Sequence, residues 1–252
     1  NQPFFRDNQG NVSYQGDDYQ RKMRVASSFE MAMNDPGSKL FMEIDNPFGD
    51  YEPQYELEPA SELLLERATN SADDGSTYKV TFVDMQTGNY AYQLEKDGAV
   101  VAAEDFDPST GIVYEGLNIQ IKGQITKGDS ITLEPRETFS IFDTFKEASE
   151  QAENPVSDAS ATAKLHQVTE EFHAAFIHLT KARTDVGARL STLDIQEQQH
   201  EDFKLSLAKA KSNFEDLDYS KAIIEFNENS RALQASQQAF GKTKDLTLFN
   251  YI

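Results

Sequence analysis

The sequence changes texture once, near residue 138, and that change limits what it can fold into. All but two of its 13 Gly and all but one of its 8 Pro precede Thr138. Gly supplies positive φ, Pro fixes φ and removes a donor, and both interrupt helices. From Thr138 to Ile252 only Pro155, Gly187 and Gly241 interrupt the chain, which leaves room for long helices. The residues before that point are punctuated every few positions, as antiparallel strands are. The expected class is α+β, segregated: an antiparallel β domain, barrel or sandwich, followed by long coiled-coil-like α-helices.

The clearest strand signals lie between residues 77 and 135. Tyr78–Val83, Asn89–Leu94 and Leu117–Ile121 alternate apolar and polar residues, and Lys96-Asp97-Gly98 separates Leu94 from Ala99–Ala102 as a hairpin turn would. Lys127-Gly128-Asp129 turns into Ser130–Leu133. Residues 1–45 read as short strands and turns: Val12–Tyr14 alternates, Lys22–Met33 carries several β formers, and Asn34-Asp35-Pro36-Gly37 is a strong turn. Residues 46–76 are acidic and interrupted by Pro, and are expected to form an irregular insertion with one or two helical turns at Ser61–Arg67.

Beyond residue 138 the period changes. Phe139–Gln151 is expected to be a short helix, broken at Asn154-Pro155-Val156-Ser157-Asp158. Leu165, Val168, Phe172, Ala175, Leu179, Ala182, Val186, Arg189 and Leu193 then alternate steps of three and four, a heptad seam with Arg189 as its polar intruder. The alternative for that seam is an ordinary helix packed on its own domain. A weaker seam continues through Phe203, Leu207, Ala210, Phe214 and Leu217. Asp216-Leu217-Asp218 reads as a break and recap, because Asp favours N-caps. In the last helix Tyr219, Phe226, Leu233 and Phe240 recur every seventh residue, with Ile223 between the first two. An apolar tail, Leu246-Thr247-Leu248-Phe249-Asn250-Tyr251-Ile252, follows. The expected division is a β-rich outer domain over 1–135, a long-helix domain over 138–215, and a terminal assembly helix and tail over 216–252. A strict seven-residue stripe with an apolar tail suits a face awaiting a partner.

Composition narrows the function classes. A formal charge of −20 with no sharp basic cluster argues against nucleic acid and anionic membranes as partners. Cys is absent, so disulfides, thiolate metal sites and Cys nucleophiles are excluded. No apolar run is long enough to span a bilayer, and no basic segment followed by an apolar stretch marks a cleavable signal. His166, Glu170 and His173 share a helix face that a zinc ion could use, but no His-Glu-x-x-His motif is present and solvated charge is the ordinary reading. Asp7, Gln9 and Asn11 superficially suit a calcium loop, yet Val12 stands where that loop needs Gly. No nucleophile elbow or phosphate-cradling loop occurs. No catalytic, cofactor or metal site is expected, and neither is an enzyme.

Several stretches resemble one family. Asp216-Leu217-Asp218-Tyr219-Ser220-Lys221-Ala222-Ile223, Ala232-Leu233-Gln234-Ala235 and the tail Leu246–Ile252 look like the terminal helix and tail of the hook-associated protein 3 family of bacterial flagella. Val186–Asp194 resembles the long helix shared with flagellins. Tyr14–Asp18 and Val25–Ser38 resemble the β domain of the same family, and Tyr114–Leu133 a segment found across hook-associated proteins.

The resemblance implies a structural protein at the hook–filament junction, connecting hook-associated protein 1 to flagellin. It implies self-association in a ring, an export chaperone bound to the C-terminal region, and export to the extracellular flagellum without a cleaved signal. It also implies an N-terminal helical segment, pairing with the C-terminal helices, that these 252 residues lack. The residues expected at the assembly interface are Tyr219, Ile223, Phe226, Leu233, Phe240, Leu246, Leu248, Phe249, Tyr251 and Ile252. The competing class is a secreted coiled-coil adhesin or host-binding module that uses its β domain for recognition.

Overall fold

A computed structural model describes residues 2–26, 29–72, 74–84, 90–153 and 157–245. The chain divides into two compact units, Asn1–Arg189 and Leu190–Ile252. Among the described residues the first holds fourteen strands and two complete helices: β1 Phe4–Arg6, β2 Val12–Tyr14, β3 Lys22–Ala26, β4 Phe29–Ala32, α1 Gly37–Phe41, β5 Ile44–Asp45, β6 Tyr51–Glu56, β7 Leu64–Asn70, β8 Tyr78–Asp84, β9 Tyr90–Lys96, β10 Ala99–Asp105, β11 Ile112–Tyr114, β12 Leu117–Lys122, β13 Ser130–Pro135, β14 Thr138–Phe139 and α2 Ile141–Glu153. Helix α3, Ala159–Asp245, begins in the first unit and continues through the second. The segregated α+β class is therefore correct, and no strand follows β14 among the described residues.

Two antiparallel sheets build the main core. One has the order β10-β9-β8-β13-β6, the other β11-β12-β7. Tyr78, Val80 and Phe82 of β8, Ile131 and Leu133 of β13, and Leu117, Ile119 and Ile121 of β12 meet in one buried cluster. Alternation explains why: in β12 every second side chain is buried and those between are exposed, as a period of two requires when only one face meets a core. Two open sheets sharing one core form a sandwich arrangement, not a closed barrel.

Residues 46–76 are not an irregular insertion. They contain β6 and β7, and Phe48, Tyr51, Leu63, Leu65 and Ala68 all enter the main core. The helical turns expected at Ser61–Arg67 are instead the approach to β7 and its first half. Ala68 pairs with Ile119 and Asn70 with Leu117, so the ladder to β12 outweighs the local helix preference of Leu63-Leu64-Leu65. The turn expected at Asn34–Gly37 opens into α1, with Pro36 at its N-cap.

Buried Asp129 fastens the loop before β7. Its carboxylate accepts from Glu58 N at 2.9 Å, Ser61 Oγ at 2.8 Å and Thr126 N at 2.6 Å. Beside it, Gly123 has φ +95°. A Cβ at Gly123 would collide with the carbonyl oxygen of Glu62, whose own N–H donates to Gln124 O at 2.9 Å. Gly123→Ala combines a disfavoured φ with a backbone clash, so a loss of roughly 2–4 kcal/mol is expected. Denaturant unfolding read by Tyr fluorescence checks this, and a loss under about 0.5 kcal/mol would refute it.

The helices are fastened to the β domain at three places. Phe4 of β1 packs on Phe41 of α1 and Phe142 of α2, with ring centroids 5.7 Å and 5.1 Å away. Ile44 and Phe139, paired across β5 and β14, bury Ala175 of α3. The third is polar. Arg136 Nη1 lies 2.6 Å from Glu52 of β6 and 3.7 Å from Glu171 of α3. Lys164 Nζ lies 3.5 Å from Glu52 and 3.0 Å from Glu147 of α2. Glu171 also accepts from Thr144 Oγ1 at 2.7 Å and from Gln167 Nε2 at 3.2 Å.

This contact face revises the first heptad seam. Val168 and Ala175 are buried as expected, but Leu165 is exposed and the other covered positions are Ala163, Gln167 and Glu171. The start of α3 is thus a helix packed on its own domain, through a face as polar as it is apolar. Arg189 has a partner: its Nη2 reaches Asp35 Oδ1 at 2.9 Å and Oδ2 at 2.8 Å. The hydrogen bond from Arg189 holds the Asp35 carboxyl below its ordinary range. Asp158 starts α3 as an N-cap, accepting from Ala161 N at 2.7 Å.

Candidate assembly surface

The part of α3 beyond Arg189 has the composition of a helix that expects company. Leu, Ala, Lys, Glu and Gln dominate it and favour helix. Lys211 and Glu215 face each other at i, i+4 across 3.6 Å, which supports an exposed helix by a few tenths of a kcal/mol. Such increments do not hold a helix of this length by themselves. In folded proteins most helical stability comes from packing an apolar stripe.

The expected break at Asp216-Leu217-Asp218 does not occur. The helix runs through it, and Ser220 Oγ donates to Asp216 O at 2.9 Å within the helical ladder. Two Asp in a helix interior cost only about 0.7 kcal/mol each, and nothing in the described unit offers a competing fold.

Five of the expected interface residues can be placed. Tyr219, Ile223, Phe226, Leu233 and Phe240 are all exposed, with Phe226 and Phe240 at 72% and Leu233 at 61%. A seven-residue step drifts only about 20° around a helix, so Tyr219, Phe226, Leu233 and Phe240 form one continuous stripe. Leu246, Leu248, Phe249, Tyr251 and Ile252 lie outside the described residues.

A second exposed stripe precedes the first. Phe203, Leu207 and Phe214 are also open to solvent, and with Ala210 they keep the three-and-four spacing. The weaker seam in the sequence marked them, but the expected interface left them out. The two stripes are not collinear. At about 100° per residue, the stripe of Phe203 and Phe214 lies roughly 120–140° around the helix from that of Tyr219 and Phe226. The slip falls at 217–219, where the sequence suggested a break. One straight partner helix cannot follow both stripes in register.

The remaining chemical candidates stay dispersed. His166 sits 3.8 Å from Glu170 as an i, i+4 pair. Among the described residues no three His, Asp or Glu side chains gather as a metal site would require. Asp7 Oδ1 accepts from the backbone of Gln9 and Asn11, each at 2.8 Å, so that cluster is a self-satisfied turn. No helix among the described residues is long and apolar enough to cross a membrane.

Solved structures supply the comparison that this geometry calls for. The flagellar junction protein FlgL from Legionella pneumophila superposes with a TM-score of 0.65, at 24% identity, over 81% of this chain and 68% of that one. FlgL from Xanthomonas campestris gives 0.64, at 24% identity, over 84% and 70%. Flagellar hook associated protein-3 from Legionella pneumophila gives 0.64, at 23% identity, over 85% and 71%. The chain has the fold of the flagellar junction proteins. No family model matches the sequence, and no curated relative does.

Proposed function

We propose that this chain is a structural protein of the bacterial flagellum, connecting hook-associated protein 1 to the flagellin filament by helix–helix assembly. The observation that carries the reading is the exposed stripe Tyr219–Phe226–Leu233–Phe240 on a chain with the flagellar junction fold. The β-rich residues 1–135 are the solvated outer part, residues 138–215 the long-helix part, and residues 216–252 the terminal assembly element. The tail Leu246, Leu248, Phe249, Tyr251 and Ile252 extends that element. Two stripes on different sides of α3 suit a subunit held by more than one neighbouring helix, as in a ring of copies. Burying four stripe side chains contributes about 1.5–3 kcal/mol each before the entropic cost of association. The reading also includes an export chaperone that covers the C-terminal region, and export without a cleaved signal. No step of it needs catalysis or a cofactor.

Binding of the chain to immobilised hook-associated protein 1 and to flagellin tests the proposal. Binding should require residues 190–252. If residues 1–189 bind a host surface or either protein as well as the whole chain does, the adhesin reading takes over.

A further inference from the structure

We propose that the polar joint between the β domain and the helices is a proton-binding latch, charge-balanced only when Glu147 is neutral. Three carboxylates meet two cations there. Arg136, from the segment after β13, is taken by Glu52 of β6 at 2.6 Å and faces Glu171 of α3 at 3.7 Å. Lys164 of α3 is shared between Glu52 at 3.5 Å and Glu147 of α2 at 3.0 Å. Thr144, on the same helix as Glu147, spends its hydroxyl on Glu171. Gln167 gives its amide N–H groups to Glu52 at 3.3 Å and Glu171 at 3.2 Å. Glu147 is left with a single partner: its buried Oε2 lies 3.0 Å from Lys164 Nζ and meets no other donor among the described residues.

The cluster therefore carries one negative charge in excess when fully ionised, and Glu147 is the member held by the fewest partners. Burial pushes its carboxyl above the ordinary range, against the pull of Lys164, and the neighbouring charges of Glu171 and Glu52 add to the rise. A proton on Glu147 leaves two carboxylates facing two cations and releases Lys164 to Glu52. The folded state then binds more protons than the unfolded chain between the ordinary Glu value and the raised one. Within that window stability falls as pH rises. The latch is tight in mild acid and looser above it.

Thermal melting of the whole chain and of Glu147→Gln, from pH 4 to pH 8, tests the inference. The amide imitates the protonated carboxyl, so the variant should melt a few degrees above wild type at pH 8, converging with it near pH 4. A difference that is zero or negative at pH 8 would overturn the latch. The second measurement is the side-chain carboxyl ¹³C shift of Glu147. A midpoint above the free Glu value of about 4.3 supports the proposal, and one at or below it overturns the proposal even where the melts agree.

Discussion

Replacing Leu233 and Phe240 together with Asp is expected to abolish assembly while leaving the first unit folded. Both side chains are exposed on one stripe of α3, so neither contributes to the core of residues 1–189. In an assembled helix pair each would lose about 1.5–3 kcal/mol of apolar burial. Each new carboxylate would also be desolvated without a partner, at a cost of several kcal/mol. The sum corresponds to a weakening of at least about a thousandfold, since each 1.4 kcal/mol is a factor of ten. The test compares secretion, attachment of filament to hook, and the melting of the β domain between wild type and the double mutant. Secreted double mutant that still joins hook to filament would remove this stripe from the mechanism. Loss of β-domain stability would show that the stripe is structural.

The second large effect is expected at Arg136. Arg136→Leu leaves Glu52, Glu147 and Glu171 facing Lys164 alone, around positions where Glu171 is almost wholly buried. Removing one partner of a buried ion pair typically costs about 3–5 kcal/mol. For a chain of this size that corresponds to a fall in Tm of roughly 10 °C. The guanidinium carbon of Arg136 also lies over the Phe139 ring, 5.7 Å from its centroid, so Lys is a poor replacement. Adding Glu171→Gln to the variant should restore part of the loss, because one of the stranded charges goes with it. A single variant within about 1 kcal/mol of wild type would show that the joint is not holding the layers.

The same cluster has an acid limb. Burial pushes the Glu52 carboxyl up, but the charge and hydrogen bond of Arg136 outweigh it and hold the group below the ordinary range. Asp35 is likewise held down, by Arg189. Depressed carboxylates contribute stability above their unfolded values and lose it as pH falls through their folded ones. Acid unfolding should therefore begin below the free carboxylate range, about 4, and Arg189→Ala should move its onset upward.

Local pattern was enough to place the strands of β8, β9, β12 and β13 and the exposed stripe of Tyr219, Phe226, Leu233 and Phe240; Phe139, expected to open a helix, instead pairs with Ile44 in β14, and α2 begins at Ile141. Periods of two and seven are properties of consecutive residues, and they survive any tertiary context that respects them. The family resemblance came from short segments of the same kind. What local pattern could not supply was pairing. The Leu63-Leu64-Leu65 run suits a helix until β12 offers a ladder. Asp216 and Asp218 suggest a cap, yet the helix needs a competing contact before it breaks. Arg189 looked like an intruder because Asp35, its partner, is distant in sequence, on the turn after β4. Glu52, Arg136, Glu147, Lys164 and Glu171 stood among many scattered charges with no spacing to unite them. Their meeting depends on how two helices lie against a sheet edge. Burial and charge neutralisation belong to that arrangement, so only the tertiary structure decides which of this acidic chain's carboxylates are solvated and which hold it together.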